Sequence, residues 1–298
     1  MKTLPYYHVD VFSDRPFSGN GLTVFTESKG LSKEAMLKLT QEMRQFESIF
    51  LEKIDANTVR AYIFTVEEEL DFAGHPILGA AATLHDLHQP GAKKAEWTFI
   101  LNKKTVKVTT EKGEISFKAV MNQGEAQFGK VLDKAETAWL LNNIDLTDDD
   151  LQPGCVPMIV STGLPYLMVP VRKNGLKAKL GAAGLEEKIR AFGAMFIGIL
   201  EIPTLSIRTG DNGGKVEDIA TGSLAGPSGA YLVKHGFQKA NTMIQLNQGV
   251  NLGRPSQLFV EVKAQNDELT DVFVSGHVCM IARSVLLAFE SLKLKDQS

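Results

Sequence analysis

The sequence predicts an α+β fold of two matched halves, each a sheet curved around one central apolar helix. Three observations carry this. First, the run from Pro76 up to His85 is apolar or Ala/Gly apart from Thr83, and Ser223–Val233 is again dominated by Ala, Gly, Leu, Tyr and Val. A surface helix shows one apolar stripe, so a helix apolar all round must be covered on every side. Each run is too short to span a bilayer. Second, the halves rhyme at an offset of about half the chain: Glu69 falls on Glu217, Gly74 on Gly222, His75 on Ser223 and Leu84 on Leu232. Third, "EWTFILNKKTVKVTTEKGEISFKAV" (96–120) and "NTMIQLNQGVNLGRPSQLFVEVKA" (241–264) both read as short alternating strands with glycine turns.

Taken in order, "GNGLTVF" (19–25) is a strand entered through a polar-Gly-Leu step. "SKEAMLKLTQEMRQ" (32–45) is a charged helix with Ser32 as its cap and Glu34 near its positive end. "KAETAWLLN" (134–142) is a short helix near the junction of the halves, and "STGLPYLMVPV" (161–171) opens the second half as "GNGLTVF" opens the first. "GLEEKIRAFGAM" (184–195) is a second charged helix, with Glu186 early. The expected halves are residues 1–125 and 126–279, with a strand in 280–298 returning to the first.

The 298 residues suffice for two ordinary domains, and 44% hydrophobic with 22% charged residues describes a soluble globular chain. A formal charge of −3 leaves no basic footprint, so nucleic acid is not an expected partner. The basic "RKNGLKAK" (172–179) has no interleaved aromatics and reads as a solvated surface. Cys155 and Cys279 form neither a CxxC nor a Cys/His pattern, which fits a reduced compartment. The start "MKTLPYYHVDVFSD" lacks a signal-peptide core, and no stretch is long enough to span a membrane, so the expectation is a cytoplasmic protein. No cofactor is expected: no G-x-G-x-x-G follows a strand, no Walker sequence occurs, and no cluster has metal-ligand spacing. The glycine-rich "TGDNGG" (209–214) reads as a flexible loop over a cleft.

Both central helices begin alike. Gly74-His75-Pro76 offers glycine as a cap candidate and proline at the first helical position; "ATGSLAGP" offers Thr221 or Ser223 as the cap. Each end presents unpaired N–H groups and positive dipole, which favours a carboxylate or phosphate. On its own, a histidine such as His75 is more often a hydrogen-bonded structural residue than a catalyst. Its paired setting, with Glu69 and Glu217 just upstream, points to a site. His8, His85, His88, His235 and His277 lack that setting and read as surface or capping residues.

Several of these motifs, in this order, resemble the PhzF-like phenazine-biosynthesis isomerase family of the diaminopimelate-epimerase-like fold. They are "VDVFSDRPFSGNGLTVF" (9–25), "QFESIFL" (45–51), "FTVEEELDFAGHPILGAA" (64–81), "STGLPYLMVPV", "VEDIATGSLAGPSGAYL" (216–232) and "LGRPSQLFVEV" (252–262). The resemblance implies curved mixed sheets, an active site in the cleft between the halves, cofactor-free proton transfer and a homodimer. Racemases of this fold use two cysteines. Here the first such position resembles Glu47, the second falls in "ATGS", and neither cysteine matches. The resemblance makes Glu47 the proton shuttle and His75 and Asp218 its partners. It makes Gly74, Gly222 and Ser223 donors to a substrate carboxylate. Without it, Glu47 reads as a surface acid at a helix–strand turn. The chain departs from the family pattern at Gly21, Phe46, Val66 and Ile219. The implied function is a cofactor-independent isomerase of a small carboxylate-bearing metabolite. The alternatives are a binding protein that has lost catalysis and an interaction scaffold.

Overall fold

The computed structural model describes residues 3–182, 184–210, 216–266 and 268–287. The chain divides into two compact units, one of residues up to 121 together with those from 275, the other of residues 122–274.

The first unit contains β1 (Leu4–Val11), β2 (Asn20–Phe25), α1 (Lys33–Met43), β3 (Glu47–Lys53), β4 (Thr58–Thr65) and β5 (Glu69–Leu70). It continues with α2 (Gly74–His88), β6 (Lys94–Ile100), β7 (Thr105–Lys112) and β8 (Phe117–Asn122). Its sheet runs β1-β2-β3-β4-β6-β7-β8 and is mixed: β2–β3 and β4–β6 are parallel, the other neighbours antiparallel. A last strand lies next to β8 and pairs with β1 from Leu4↔Leu286 to Val11↔Val278, so the sheet closes on itself. Inside it lies α2, packed on β1, β2, β3, β6 and β7, with every residue from Gly74 to His85 buried. The all-round apolar pattern thus has its physical cause: the helix has no solvent side. Gly79 permits the approach, since a Cβ there would stand 2.5 Å from Leu22 Cδ2 and 3.0 Å from Val11 Cγ2. On the sheet's other face, α1 packs Ala35, Met36 and Leu39 against Phe25, Phe50 and Phe64.

The second unit repeats the plan with β9 (Gln127–Val131), α3 (Lys134–Asn143), β10 (Met158–Ser161), β11 (Pro165–Val171), α4 (Leu185–Phe192) and β12 (Phe196–Glu201). After β13 (Ser206–Arg208) come α5 (Gly222–Lys234), β14 (Met243–Gln248) and β15 (Ser256–Gln265). The strands stand in the order β15-β14-β13-β12-β11-β10-β9, with β11–β12 and β13–β14 parallel. The central helix is α5, buried from Gly222 to Leu232 and packed on β10, β11, β13 and β15. Gly229 plays the part of Gly79: a Cβ there would meet Val260 Cγ1 at 2.4 Å. The closing strand, β16 (Glu268–Leu286), runs from the second unit into the first.

Local signals behave as their chemistry dictates. Ser32 accepts from Ala35 N at 3.2 Å, and Glu34 stands in the first turn of α1. Asp133 and Glu136 form a reciprocal capping box on α3. Helix α4 stops earlier than its sequence suggests, because Gly193 turns left-handed at φ 99°. His85 corrects the reading of the lone histidines: it is fully buried, with Nδ1 2.8 Å from Thr110 Oγ1 and Nε2 3.0 Å from Ala92 O. Most of the expected 209–214 loop, and residues 288–298 of the expected returning strand, lie outside the described residues. No described helix is long and apolar enough to cross a membrane.

Candidate active site

Glu47 owes its place to a sharp local turn. Helix α1 ends on Arg44 in the left-handed region (φ 56°), and two residues later Glu47 opens β3. That strand is central, with Glu47 opposite Leu22 of β2 and Thr65 of β4. Side chains alternate along a strand. Phe50 stacks on Phe25 toward α1, so Glu47, an odd number of residues away, faces the opposite side, where α2 lies. Its side chain is buried, which overturns the surface-acid alternative. At Gly21 the Gln45 side chain lies close to the backbone, with Oε1 2.4 Å from where a Cβ would stand.

The start of α2 differs from expectation in detail. Ala73 is the N-cap and makes no side-chain cap bond, Gly74 and His75 are the first two helical residues, and Pro76 is third. Proline is tolerated there because none of the first four N–H groups has a helical partner. His75 therefore does not cap. Its Nδ1 lies 3.1 Å from Glu47 Oε2, and its ring is buried at 3% exposure. Burial pushes its pKa down to about 3. The neutral ring has one N–H; facing it toward Glu47 leaves a lone pair on Nε2. That Nε2 is buried and has no hydrogen-bond partner among the described residues. A carboxyl group and a neutral imidazole thus lie side by side out of water, the residue types that acid–base chemistry uses.

In the second unit, Thr221 is the N-cap of α5, as the sequence suggests, yet its side chain makes no cap bond. Its hydroxyl donates to Asp218 Oδ2 at 2.5 Å. Asp218 is buried, and its N–H donates to Thr209 O at 3.0 Å. Ser223 is not a cap either, since its hydroxyl pairs with Tyr166 Oη at 2.8 Å. Gln123 donates to Gly222 O at 2.9 Å and accepts from Thr162 at 2.6 Å. Gly226 makes room for that pair: a Cβ would sit 2.1 Å from Gln123 Oε1.

The two upstream acids are each held in pairings of their own. Glu69 is ion-paired to Lys33 at 2.5 Å. Glu217 takes a two-pronged bond from Arg208, 2.7 Å on each arm. Burial alone would raise the Glu217 pKa, but the hydrogen bonds from Arg208 and Asn251 outweigh it and the net direction is down. Of the expected site residues, Glu47, Gly74 and His75 gather in the first unit, and Asp218, Gly222 and Ser223 in the second. Sequence reasoning missed Gln248, Gln123 and Tyr166, which hold the start of α5. Only Gln248 left a trace: it precedes Gly249, whose φ of 75° lies in the left-handed region that favours glycine. Among the described residues, no three His, Cys, Asp or Glu side chains gather as a metal ion needs.

Known proteins match this chain along most of its length. The family model for phenazine biosynthesis-like proteins matches residues 9–196 and 210–284. A trans-2,3-dihydro-3-hydroxyanthranilate isomerase of Pseudomonas chlororaphis is 29% identical over 305 residues, 95% of this chain and 99% of that protein. A solved structure of a predicted epimerase from Pseudomonas aeruginosa superposes with a TM-score of 0.90 at 44% identity, covering 96% of this chain and 99% of that one. A hydroxyproline epimerase of Agrobacterium vitis shares the fold alone, with a TM-score of 0.66 at 11% identity over 98% of this chain and 94% of its own. The matched motifs span both units, and the chain belongs to the phenazine biosynthesis-like family: it is an isomerase of the diaminopimelate-epimerase-like fold.

Proposed function

We propose that the enzyme moves a proton within a small carboxylate-bearing metabolite without a cofactor, with Glu47 as the shuttle. The observation that carries this is the buried Glu47–His75 contact with an open Nε2. Glu47 takes a proton from a substrate carbon as its C–H bond breaks. The electron pair moves along the substrate's unsaturated system, and Glu47 returns the proton at another carbon. His75 holds the carboxyl group through Nδ1 and offers Nε2 to a polar group of the substrate. In this reading Asp218 serves the same substrate from the second half, and the free N–H groups at residues 74, 222 and 223 take its carboxylate. One cleft would then hold both sets, as the family resemblance implies. The same proposal includes a homodimer in the cytoplasm, and sedimentation of the purified chain tests the dimer.

The test follows deuterium from D₂O into carbon, with trans-2,3-dihydro-3-hydroxyanthranilate as the first probe and a panel of small unsaturated acids after it. Wild-type protein incorporates deuterium. Glu47→Gln keeps the shape and loses the titrating group, so incorporation falls by about 10²- to 10⁴-fold. Full incorporation by Glu47→Gln refutes the shuttle. Binding without any exchange in the wild type favours a protein that kept the fold and lost the chemistry.

A further inference from the structure

We infer that Gln248 and Thr221 are positioning residues, which form a one-way hydrogen-bond chain that fixes Oδ2 of Asp218 as an acceptor and draws the Thr221 hydroxyl off its own helix. The inference rests on the reading of Asp218 as part of the site.

Threonine is favoured at an N-cap because its hydroxyl accepts from an N–H in the first turn. Thr221 occupies the N-cap without doing so. The reason lies in Gln248, the last residue of β14, itself buried at 2% exposure. Its Oε1 accepts from Thr221 N at 2.9 Å, while its Nε2 lies 2.9 Å from Asp218 O and 3.0 Å from Thr221 Oγ1. The carbonyl of Asp218 can only accept, and the N–H of Thr221 can only donate, so the amide is fixed in this orientation. The NH₂ group then donates to Thr221 Oγ1. The one hydroxyl hydrogen of Thr221 is left for its other neighbour, Asp218 Oδ2. Every link points the same way, from Gln248 to Thr221 to Asp218. A hydrogen on Oδ2 would face the hydroxyl hydrogen head-on, so that oxygen is held as an acceptor.

The chain cannot easily drift. Gly249 follows Gln248 at φ 75°, and a Cβ on it would lie 2.6 Å from Ile219 O, so the turn from Asp218 to Thr221 rests on bare backbone. Asp218 is tied at its own N–H to Thr209. The end of β14 thus sets both the place of the Asp218 turn and the polarity of its hydrogen bonds.

The decisive variant is Gln248→Glu. The ionised carboxylate still accepts from Thr221 N but has no hydrogen to donate, and protonation restores the donor. With the substrate identified by deuterium exchange, kcat of Gln248→Glu falls about 10- to 100-fold at neutral pH and recovers as the pH is lowered. Thr221→Ser rescues the loss seen in Thr221→Val. A Gln248→Glu profile parallel to wild type, or full activity in Thr221→Val, overturns the inference. A second measurement needs no substrate. In wild-type protein, NMR detects a slowly exchanging Thr221 hydroxyl proton coupled to the Asp218 carboxyl carbon, and Gln248→Met loses that coupling. A hydroxyl proton coupled elsewhere in the wild type overturns the chain. If no acid in the panel exchanges, the function reading fails while the NMR result still decides the chain.

Discussion

The starts of the two central helices are alike in outline and opposite in economy. Both lack a side-chain cap. At α2 one buried nitrogen is left unfinished: a carboxyl group touches a neutral imidazole whose other nitrogen has no partner among the described residues. At α5 the polar atoms of Gln248 and the Thr221 hydroxyl are bonded in a fixed direction. An unfinished buried nitrogen costs stability unless a ligand completes it, whereas a completed network holds a geometry. In the proposed function, the first start is the one that transfers the proton and the second the one that orients.

The largest expected effect contrasts two histidines of one helix. His75→Asn lowers exchange by about 10²-fold or more, the usual share of an acid–base partner, with little change in melting temperature. His85→Asn breaks bonds to Thr110 and Ala92 and costs about 1–3 kcal/mol, while activity per folded molecule stays. Calorimetry with the exchange assay reads both. If both variants lose only stability, the contrast between site and scaffold collapses.

Next in size is the Arg208–Glu217 pair that frames the second start. Removing one partner of a buried pair costs about 3–5 kcal/mol; Arg208→Met lies near the lower end, since Glu217 keeps some contact with water and its bond to Asn251. Urea unfolding measures this. A loss below about 1 kcal/mol, as at a surface pair, shows the frame to be dispensable.

A pH series sharpens the same comparison. The His75 pKa is depressed from 6.5 to about 3 by burial, so between those values the unfolded chain binds more protons at this residue. Stability is then fully present above about pH 6.5 and falls as pH drops toward 3, by at most about 1.4 kcal/mol per pH unit from this one group. His75→Asn flattens that slope, and unchanged slopes would mean the ring is not held neutral. The smallest effect, about 1 kcal/mol, belongs to Ser32→Ala at the cap of α1, with turnover unaltered.

Sequence patterning made the two helices legible because burial on all sides leaves no polar stripe to disguise. Glu47 is different. Its neighbours give no periodic sign that β3 is central, so only the family resemblance singled it out, and the contact with His75 needed coordinates. The matched acids Glu69 and Glu217 helped to align the two halves, and that each is held in an ion pair needed the structure. Gln248 falls on the inward side of the alternation set by Ile244 and Leu246, but its partners stayed hidden because they lie in a turn some thirty residues earlier.

The pairing of β16 with β1 has a consequence for synthesis. Everything in the first unit up to residue 121 leaves the ribosome before its closing strand exists, and roughly 150 residues of the second unit must follow. At 5–20 residues per second, that is a wait of roughly 8–30 s, during which β1 offers an open edge to any neighbouring chain. The half of the protein that is begun first is completed last.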